Sequence, residues 1–244
     1  MKKGTLFLTI IICLLYAIEG TAQVQFGFNA GMNISSVLPL SSNVNTIVGD
    51  PADFIPNTGL QNLQYQTDRS TNHFFGGVIT DITLSKVLRL RTGIAYSQKG
   101  WEYYTYNNNQ LEVNIRDYHF KINYLQLPLD IEYGTPIGQG RAFVAVGPFI
   151  AYGLSGKIVQ DLKGLPMSSF RSDTTYNTSV NFKTDVKKWD MGLNLVLGYE
   201  TGLGIFLSAA YDLSLTHSTR SYFTGVAQHF SVFQLGLGYM LHKK

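Results

Sequence analysis

Seven charged residues stand at positions where strand alternation would bring their side chains to one face of a sheet. Three are cationic and four are anionic, so they can pair if their strands are neighbours. The set comprises Asp81, Arg89, Arg91, Asp130, Glu132, Arg141 and Glu200. Charges inside a narrow barrel are costly unless they are paired, so this set predicts a salt-bridged structural plug. The alternative is that the same charges form the filter of a narrow selective path.

Motifs that would indicate catalysis or cofactor binding are incomplete. GLSGK, which begins at Gly153, lacks the spacing of a nucleophile elbow, and Ile158 stands where a phosphate-binding loop needs Ser or Thr. GQGRAF, from residue 138, has Phe143 in place of the third glycine of a dinucleotide fingerprint. The five histidines have no metal-ligand spacing with acids or with each other. We therefore expect no catalytic residue, no metal and no cofactor.

A lipid-modifying enzyme is the remaining enzymatic alternative. It would use His217 and Ser218, which are adjacent in THST. Adjacent strand residues face opposite sides of a sheet, so these two could pair only across a bend. An exposed polar loop is the favoured interpretation of these residues, and we expect the protein not to be an enzyme.

The first residues have the three parts of a secretory signal peptide. Lys2 and Lys3 precede an apolar run, and the small residue Ala22 ends the segment. We expect residues 1–22 to be cleaved after about Ala22, which leaves residues 23–244 as the mature domain. The single cysteine, Cys13, would be lost with the peptide.

The net charge of the full sequence is +3, which gives no electrostatic argument for nucleic acid binding.

Alternation of apolar and polar residues is the main structural signal. NYLQLPLDIEYG, residues 123 to 134, separates into one face of leucines, isoleucine and tyrosine and another of polar and acidic residues. Similar segments recur, and no residue after position 22 lies in an apolar run long enough for a helical span. The predicted strands are 24–33, 73–84, 87–101, 114–133, 141–155, 187–200, 203–215 and 227–241. They predict an all-β fold, a single antiparallel up-and-down transmembrane β-barrel of about eight strands.

Aromatic residues decide which face is outside. A soluble ligand-binding barrel would point its leucines inward, whereas a membrane barrel points them to lipid between two aromatic belts. The predicted periplasmic belt is Phe26, Tyr133, Tyr199 and Tyr239, and the predicted external belt is Phe74, Tyr96, Tyr152, Trp189 and Tyr211. Two belts at opposite strand ends favour a barrel in lipid.

The connections between the predicted strands alternate between short and long. The longest are residues 34–72 and 156–186, which we expect to be external loops. Such loops are common binding surfaces, so one hypothesis is a protein partner there, and the alternative is a solvated loop that shields the barrel mouth. Within strand 114–133, Pro128 cannot donate a ladder hydrogen bond, and a β-bulge or bend is predicted at that point.

Several stretches resemble a known family. TGIAYSQKG from Thr92, INYLQLPLDIEYG from Ile122, VGPFIAYGL from Val146 and the closing LGLGYML resemble the PorT-like outer-membrane β-barrel family, often labelled "porin family". The resemblance implies an outer-membrane barrel of about eight strands in a Gram-negative bacterium. The name-giving protein of that family belongs to a secretion system, but the matching residues are scaffold residues. The expected function is a non-enzymatic scaffold or partner-binding barrel, with a narrow passive pore as the alternative.

Overall fold

The computed structural model describes residues 23–39, 63–109, 112–166, 173–182, 185–216 and 228–241, all of which belong to strands or their connections. The strands are β1 Val24–Pro39, β2 Leu63–Arg69, β3 Thr71–Thr83, β4 Leu88–Asn109, β5 Glu112–Ile137, β6 Gly140–Pro166, β7 Asp173–Ser179, β8 Trp189–Thr201, β9 Ile205–Ser214 and β10 Gln228–Leu241. No helix within these residues is long and apolar enough to cross a membrane.

Eight of the strands close into a ring in which all neighbours are antiparallel. The order around the ring is β1, β3, β4, β5, β6, β8, β9 and β10. The first and last strands seal it, with pairs from Phe26 and Leu241 to Pro39 and Gln228. The prediction of an all-β, up-and-down antiparallel barrel of about eight strands is therefore confirmed.

The two ends of the barrel differ in their connections. At one end, here called the turn end, the connections span only residues 84–87, 138–139 and 202–204. Gly138 and Gly204 have φ values of 61° and 85°, a left-handed backbone in which a side chain would be strained. The opposite end, here called the rim end, carries the long hairpins.

The long hairpins continue the sheet beyond the barrel at the rim end. Strands β4, β5 and β6 extend past the level of Tyr96 and stay paired as far as Asn109, Glu112 and Pro166. Thirteen residues separate Tyr96 from Asn109, which corresponds to about 40 Å of strand. β2 pairs with the outer part of β4 and β7 with that of β6. The resulting order β2, β4, β5, β6, β7 is here called the projecting sheet.

The projecting sheet changes the interpretation of the two segments expected as external loops. Residues 34–39 continue β1, and residues 63–69 form β2; residues 156–166 continue β6, and residues 173–179 form β7. Strand pairing satisfies the hydrogen bonds of backbone N–H and C=O groups that a loop would leave to water. The hairpins can therefore extend beyond the barrel as regular sheet. Of the two segments, residues 40–62, 167–172 and 183–184 lie outside the described part of the chain.

Pro128 does not produce the predicted bulge. The registers of β5 with β4 and with β6 are the same on both sides of Pro128. The ladder has no pair between Pro128 and Gly93, and the Thr92 hydroxyl donates to the Pro128 carbonyl at 2.8 Å. Pro128, which has no backbone N–H, therefore lies where the pairing of β4 with β5 is interrupted but its register does not change. The shift in β5 occurs instead between Asn123 and Tyr124.

The leucine-rich face of β5 points outward. Leu125, Leu127 and Leu129 are 42–46% exposed, whereas Gln126 and Asp130 are 5% and 2% exposed. The same alternation of exposed aliphatic and buried residues runs through β8 and β9. The polar residues therefore fill the interior, as in a barrel that faces lipid.

Candidate functional site

The interior near the turn end holds a closed cycle of alternating charges, here called the charge ring. Its members are Asp81, Arg91, Glu132, Arg141, Glu200 and Arg89, each of which lies within 4.0 Å of the next. The ring contains three cations and three anions, so its net charge is zero. It draws on β3, β4, β5, β6 and β8 and ties five strands together across the interior.

The Arg91 guanidinium makes the most complete contacts in the charge ring. Its Nε and Nη2 donate to the two carboxylate oxygens of Asp81, both at 2.8 Å, and Nη2 lies 2.9 Å from a Glu132 oxygen. Its flat face lies 4.6 Å from the ring centroid of Phe143. Arg89 is more open to solvent and reaches Glu200 at 3.0 Å and Asp81 at 3.6 Å. Arg141 pairs with Glu132.

Asp130 is the one predicted cluster residue that makes no ion pair in the described structure. Its carboxylate is 2% exposed, and Oδ1 has no hydrogen-bond partner among the described residues. The sequence therefore placed seven charges on the inner face, and the structure brings six of them together while Asp130 lies apart.

An apolar layer follows the charge ring toward the rim end. Phe143 and Phe206 are buried in edge-to-face contact, with ring centroids 6.3 Å apart. The layer is completed by Ile79, Ala145, Val196, Ala210 and Met240. The layer packs against the charge ring, since the Arg91 guanidinium lies 4.6 Å from the ring centroid of Phe143 and 5.4 Å from that of Phe206.

The middle of the interior is polar. Asp212, fully buried, accepts hydrogen bonds from the side-chain amides of Gln126 at 2.8 Å, Asn194 at 2.7 Å and Gln234 at 3.1 Å. A cavity of about 80 Å³ lies beside these residues, and its lining includes Gln126, Asn194, Gln234 and Asp130. A volume of this size holds several water molecules.

A second buried ion pair lies farther toward the rim. Lys99 is 0% exposed, and its ammonium donates to Asp190 at 3.0 Å while lying 4.4 Å from the centroid of the Phe149 ring. Asp190 also accepts from Ser214 and Thr216, both at 2.9 Å. The site prediction omitted Lys99, Asp190 and Asp212, although the alternation of their strands places all three on the inner face.

Aromatic residues close the interior at the rim end. Trp101 stacks on Phe120 with a centroid distance of 4.1 Å and an interplanar angle of 1°, and Phe230 contacts Trp101 edge-on. Tyr124 and Val232 belong to the same buried cluster. The described interior thus runs from the charge ring through apolar and polar layers to an aromatic cap.

The residues of both predicted aromatic belts occupy outward or partly exposed positions at the two ends of the strands. Phe26, Tyr133, Tyr199 and Tyr239 lie toward the turn end and are 37–54% exposed. Tyr96 and Tyr152 both pair with Leu125 of β5, and Tyr152 also pairs with Trp189. Phe74 contacts Tyr96, and Trp189 contacts Tyr152, with ring centroids 5.5 Å and 4.8 Å apart. Tyr211 lies on the same outer surface.

The histidine and serine considered for lipid chemistry, His217 and Ser218, lie outside the described residues. Within the described residues, no group of three or more histidine, cysteine, aspartate or glutamate side chains has the geometry of a metal site. The exposed His119 lies between Glu102, at 3.0 Å, and Asp161, at 3.7 Å, at the base of the projecting sheet.

Comparison with known proteins identifies the family. The family model described as "Outer membrane protein beta-barrel domain" matches residues 19–220. No curated protein matches the chain. Similar solved structures include Ail, the attachment invasion locus protein of Yersinia pestis, in complex with the heparin analogue sucrose octasulfate, at 10% identity and a TM-score of 0.35, over 90% of this chain and 99% of that chain. The outer membrane protein OprG from Pseudomonas aeruginosa matches at 11% identity and a TM-score of 0.30, over 92% of this chain and 99% of that chain. The closed ring of strands, the outward leucine face and the match of the family model over most of the sequence together show that the chain belongs to the family of outer membrane proteins with a β-barrel domain.

Proposed function

We propose that the chain is a non-enzymatic outer-membrane scaffold with a closed lumen, whose projecting sheet binds a protein partner outside the cell. The observation that carries this proposal is the projecting sheet itself. Within the described residues, β2 pairs only with β4 and β7 only with β6, so each has a backbone edge to which another strand can be added. Addition of a strand to an exposed edge is a common mode of protein recognition.

The filled interior supports a scaffold in preference to a pore. An eight-stranded barrel is only wide enough for its side chains to fill, and here a charge ring, an apolar layer and an aromatic cap succeed each other along the axis. In this proposal Asp81, Arg89, Arg91, Glu132, Arg141 and Glu200 act as a structural plug. Asp130, which stands outside the ring, is not part of that plug.

The orientation follows from general features of outer-membrane barrels. Short turns face the periplasm and long hairpins face outward, so the turn end is proposed to be periplasmic. Phe26, Tyr133, Tyr199 and Tyr239 then form the periplasmic belt, and Phe74, Tyr96, Tyr152, Trp189 and Tyr211 form the external belt. Residues 1–22 are proposed to be the signal peptide that exports the chain from the cytoplasm of a Gram-negative cell.

The resemblance to the PorT-like family supports an association with protein secretion. The resemblance covers scaffold segments such as INYLQLPLDIEYG, which forms the membrane part of β5. A secretion partner would therefore be recognised by surfaces outside these scaffold segments, and the projecting sheet is such a surface. The proposed function requires neither a nucleic acid nor a cofactor.

Site-specific photo-crosslinking in intact cells tests the proposed binding surface. A crosslinking amino acid replaces Tyr176, which is 52% exposed on the edge strand β7, or Leu195, which is 46% exposed on the outer face of β8. A partner on the projecting sheet predicts a discrete protein adduct at position 176 and none at position 195. Absence of a protein adduct at 176 and along β2 would contradict partner binding by the sheet edges.

A narrow passive pore is the second candidate, and the cavity of about 80 Å³ in the middle of the barrel is the observation that favours it. The cavity would have to connect through the Phe143 and Phe206 layer on one side and the Trp101 stack on the other. Conductance measurements distinguish the two candidates and are described in the Discussion.

A further inference from the structure

Three buried side-chain oxygens, on residues that line the central cavity, have no hydrogen-bond partner among the described residues. They are Gln126 Oε1, Asn194 Oδ1 and Asp130 Oδ1, on residues that are only 2–6% exposed. All three residues line the cavity of about 80 Å³. A buried acceptor without a donor is costly, so this concentration of oxygens indicates a bound group that satisfies them.

Asp212 fixes the direction of the two amides. A carboxylate can only accept hydrogen bonds from an amide, so the nitrogens of Gln126 and Asn194 must face Asp212. Because an amide oxygen points away from its nitrogen, the oxygens of both residues turn away from the carboxylate. Asp212 therefore acts as a positioning residue that keeps two carbonyl oxygens free.

The charge balance of the interior is negative at this level. The buried carboxylates are Asp81, Asp130, Glu132, Asp190, Glu200 and Asp212, whereas the inward-facing cations of the described barrel are Arg89, Arg91, Lys99 and Arg141. The charge ring is neutral within itself, and Lys99 balances Asp190. Asp130 and Asp212 thus form no ion pair within 4.0 Å among the described residues. Arg91 also lines the cavity, but its guanidinium is already engaged by Asp81 and Glu132.

The absence of a side chain on a neighbouring strand makes room for the Asp130 carboxylate. Gly147 of β6 lies next to it, and a Cβ atom at Gly147 would come within 2.8 Å of Asp130 Oδ1. The Asn194 backbone pairs with Gly147 on its other side. Asp130 therefore leans across a glycine toward the strand that carries Asn194, and no intervening side chain separates their two strands at this level.

We infer that the central cavity binds one divalent hard cation, Ca²⁺ or Mg²⁺, with oxygen ligands from Asp130, Gln126 and Asn194 and a retained water shell. Carboxylate and amide carbonyl oxygens are the ligands that such cations prefer, and both ions accept waters in the remaining positions. A double positive charge matches the two unbalanced carboxylates. The ion would bind in the barrel interior. This inference does not depend on partner binding by the projecting sheet.

Equilibrium dialysis with radioactive calcium tests the inference on the barrel purified in detergent and stripped with EDTA. The parent protein is expected to bind a single Ca²⁺ per chain, which excess Mg²⁺ displaces. Asp130→Asn keeps the shape but removes the ligand charge, and it should weaken Ca²⁺ binding by at least about tenfold. Asp212→Asn disturbs the positioning of the amides and should weaken binding by about 10- to 100-fold.

Asp161→Asn is the matched control, because this carboxylate lies outside the barrel interior, where it accepts from Thr175. It should bind Ca²⁺ like the parent. Heat-dependent gel mobility verifies that each variant is folded, and Ca²⁺ should raise the unfolding temperature of the parent and of Asp161→Asn only. If the folded parent binds neither Ca²⁺ nor Mg²⁺, the cavity holds water or protonated carboxyl groups and the inference is wrong. Unchanged affinity in folded Asp130→Asn and Asp212→Asn would also overturn it.

Discussion

Arg91 and Asp81 are directly paired residues on neighbouring strands, and their side chains form a two-pronged ion pair inside the barrel, with both donor–acceptor distances at 2.8 Å. Asp81 is 0% exposed and Arg91 6% exposed. Two parallel hydrogen bonds fix the angle of the guanidinium, and Nη2, one of the two donors, also lies 2.9 Å from a Glu132 oxygen on the next strand. The pair is therefore the link that joins β3, β4 and β5 within the charge ring.

Replacement of Arg91 by alanine is expected to destabilise the barrel by up to about 3–5 kcal/mol, because it removes the closest cation of Asp81 and leaves the buried Asp81 and Glu132 with one cation each, Arg89 and Arg141. Arg89→Ala should cost less, since the Arg89 side chain is 17% exposed and water can replace part of its contacts. Urea unfolding of the refolded barrel in lipid vesicles measures both free energies of unfolding. Equal stability of Arg91→Ala and the parent would contradict the structural role of the charge ring.

Two adjacent glycines of β3 should respond differently to alanine. A Cβ atom at Gly77 would lie 2.4 Å from the Ile94 carbonyl oxygen and 2.6 Å from Ala95 Cα, whereas at Gly76 the nearest atom is at 3.6 Å. Gly77→Ala should lower the free energy of unfolding by about 1–3 kcal/mol through backbone displacement. Gly76→Ala should be neutral or slightly stabilising. The same vesicle unfolding assay compares them, and an equal effect of the two substitutions would be inconsistent with this packing.

The buried pair of Lys99 and Asp190 should show strong coupling. Lys99→Met removes the only cation within 4.0 Å of Asp190 among the described residues and should cost about 3–5 kcal/mol. In the Lys99→Met background, Asp190→Asn removes the negative charge that has lost its cation. The double variant should therefore be more stable than the sum of the two single effects predicts. A double-mutant cycle of unfolding free energies measures the coupling. Additive effects would show that the two side chains do not interact.

The two tryptophans of the chain report on opposite faces of the wall. Trp189 is 54% exposed on the outer face, and Trp101 is 2% exposed within the aromatic cap. Brominated lipid should therefore quench the fluorescence of a Trp101→Phe variant, which retains Trp189, and leave that of Trp189→Phe nearly unchanged. Strong quenching of Trp101 alone would place the leucine face on the inside and contradict the orientation of the wall.

Strand positions in the barrel could be predicted because lipid and a filled interior impose alternation on every membrane residue, as in Leu125 to Tyr133 of β5. The same reasoning placed Asp81, Arg91 and Glu132 on the inner face. Alternation could not identify the ion-pair partners of these residues, because ion pairing depends on the register between strands that are far apart in sequence. Asp130 illustrates the difference: it lies on the same face of β5 as Glu132, two residues away, but has no ion pair in the described structure.

Alternation of apolar and polar residues does not predict several other features of the structure. The outer part of β4, YYTYNNN from Tyr103, shows no alternation of aliphatic and polar residues in its sequence, so its continuation as a strand gives no periodic signal. Pro128 was expected to shift the register, but the ladder is interrupted there and then resumes unchanged. The cavity beside Asn194 arises from side chains of several strands and has no signature in any one of them.

Single-channel conductance of the refolded protein in planar bilayers is the most direct test of the closed scaffold. Heat-dependent gel mobility first shows that the reconstituted protein is a folded barrel. The charge ring, the Phe143 and Phe206 layer and the Trp101 cap predict no current steps above the background of the bilayer. Reproducible steps from folded protein, altered in their ion selectivity by Arg89→Ala or Arg91→Ala, would contradict a closed lumen and make this chain a narrow pore.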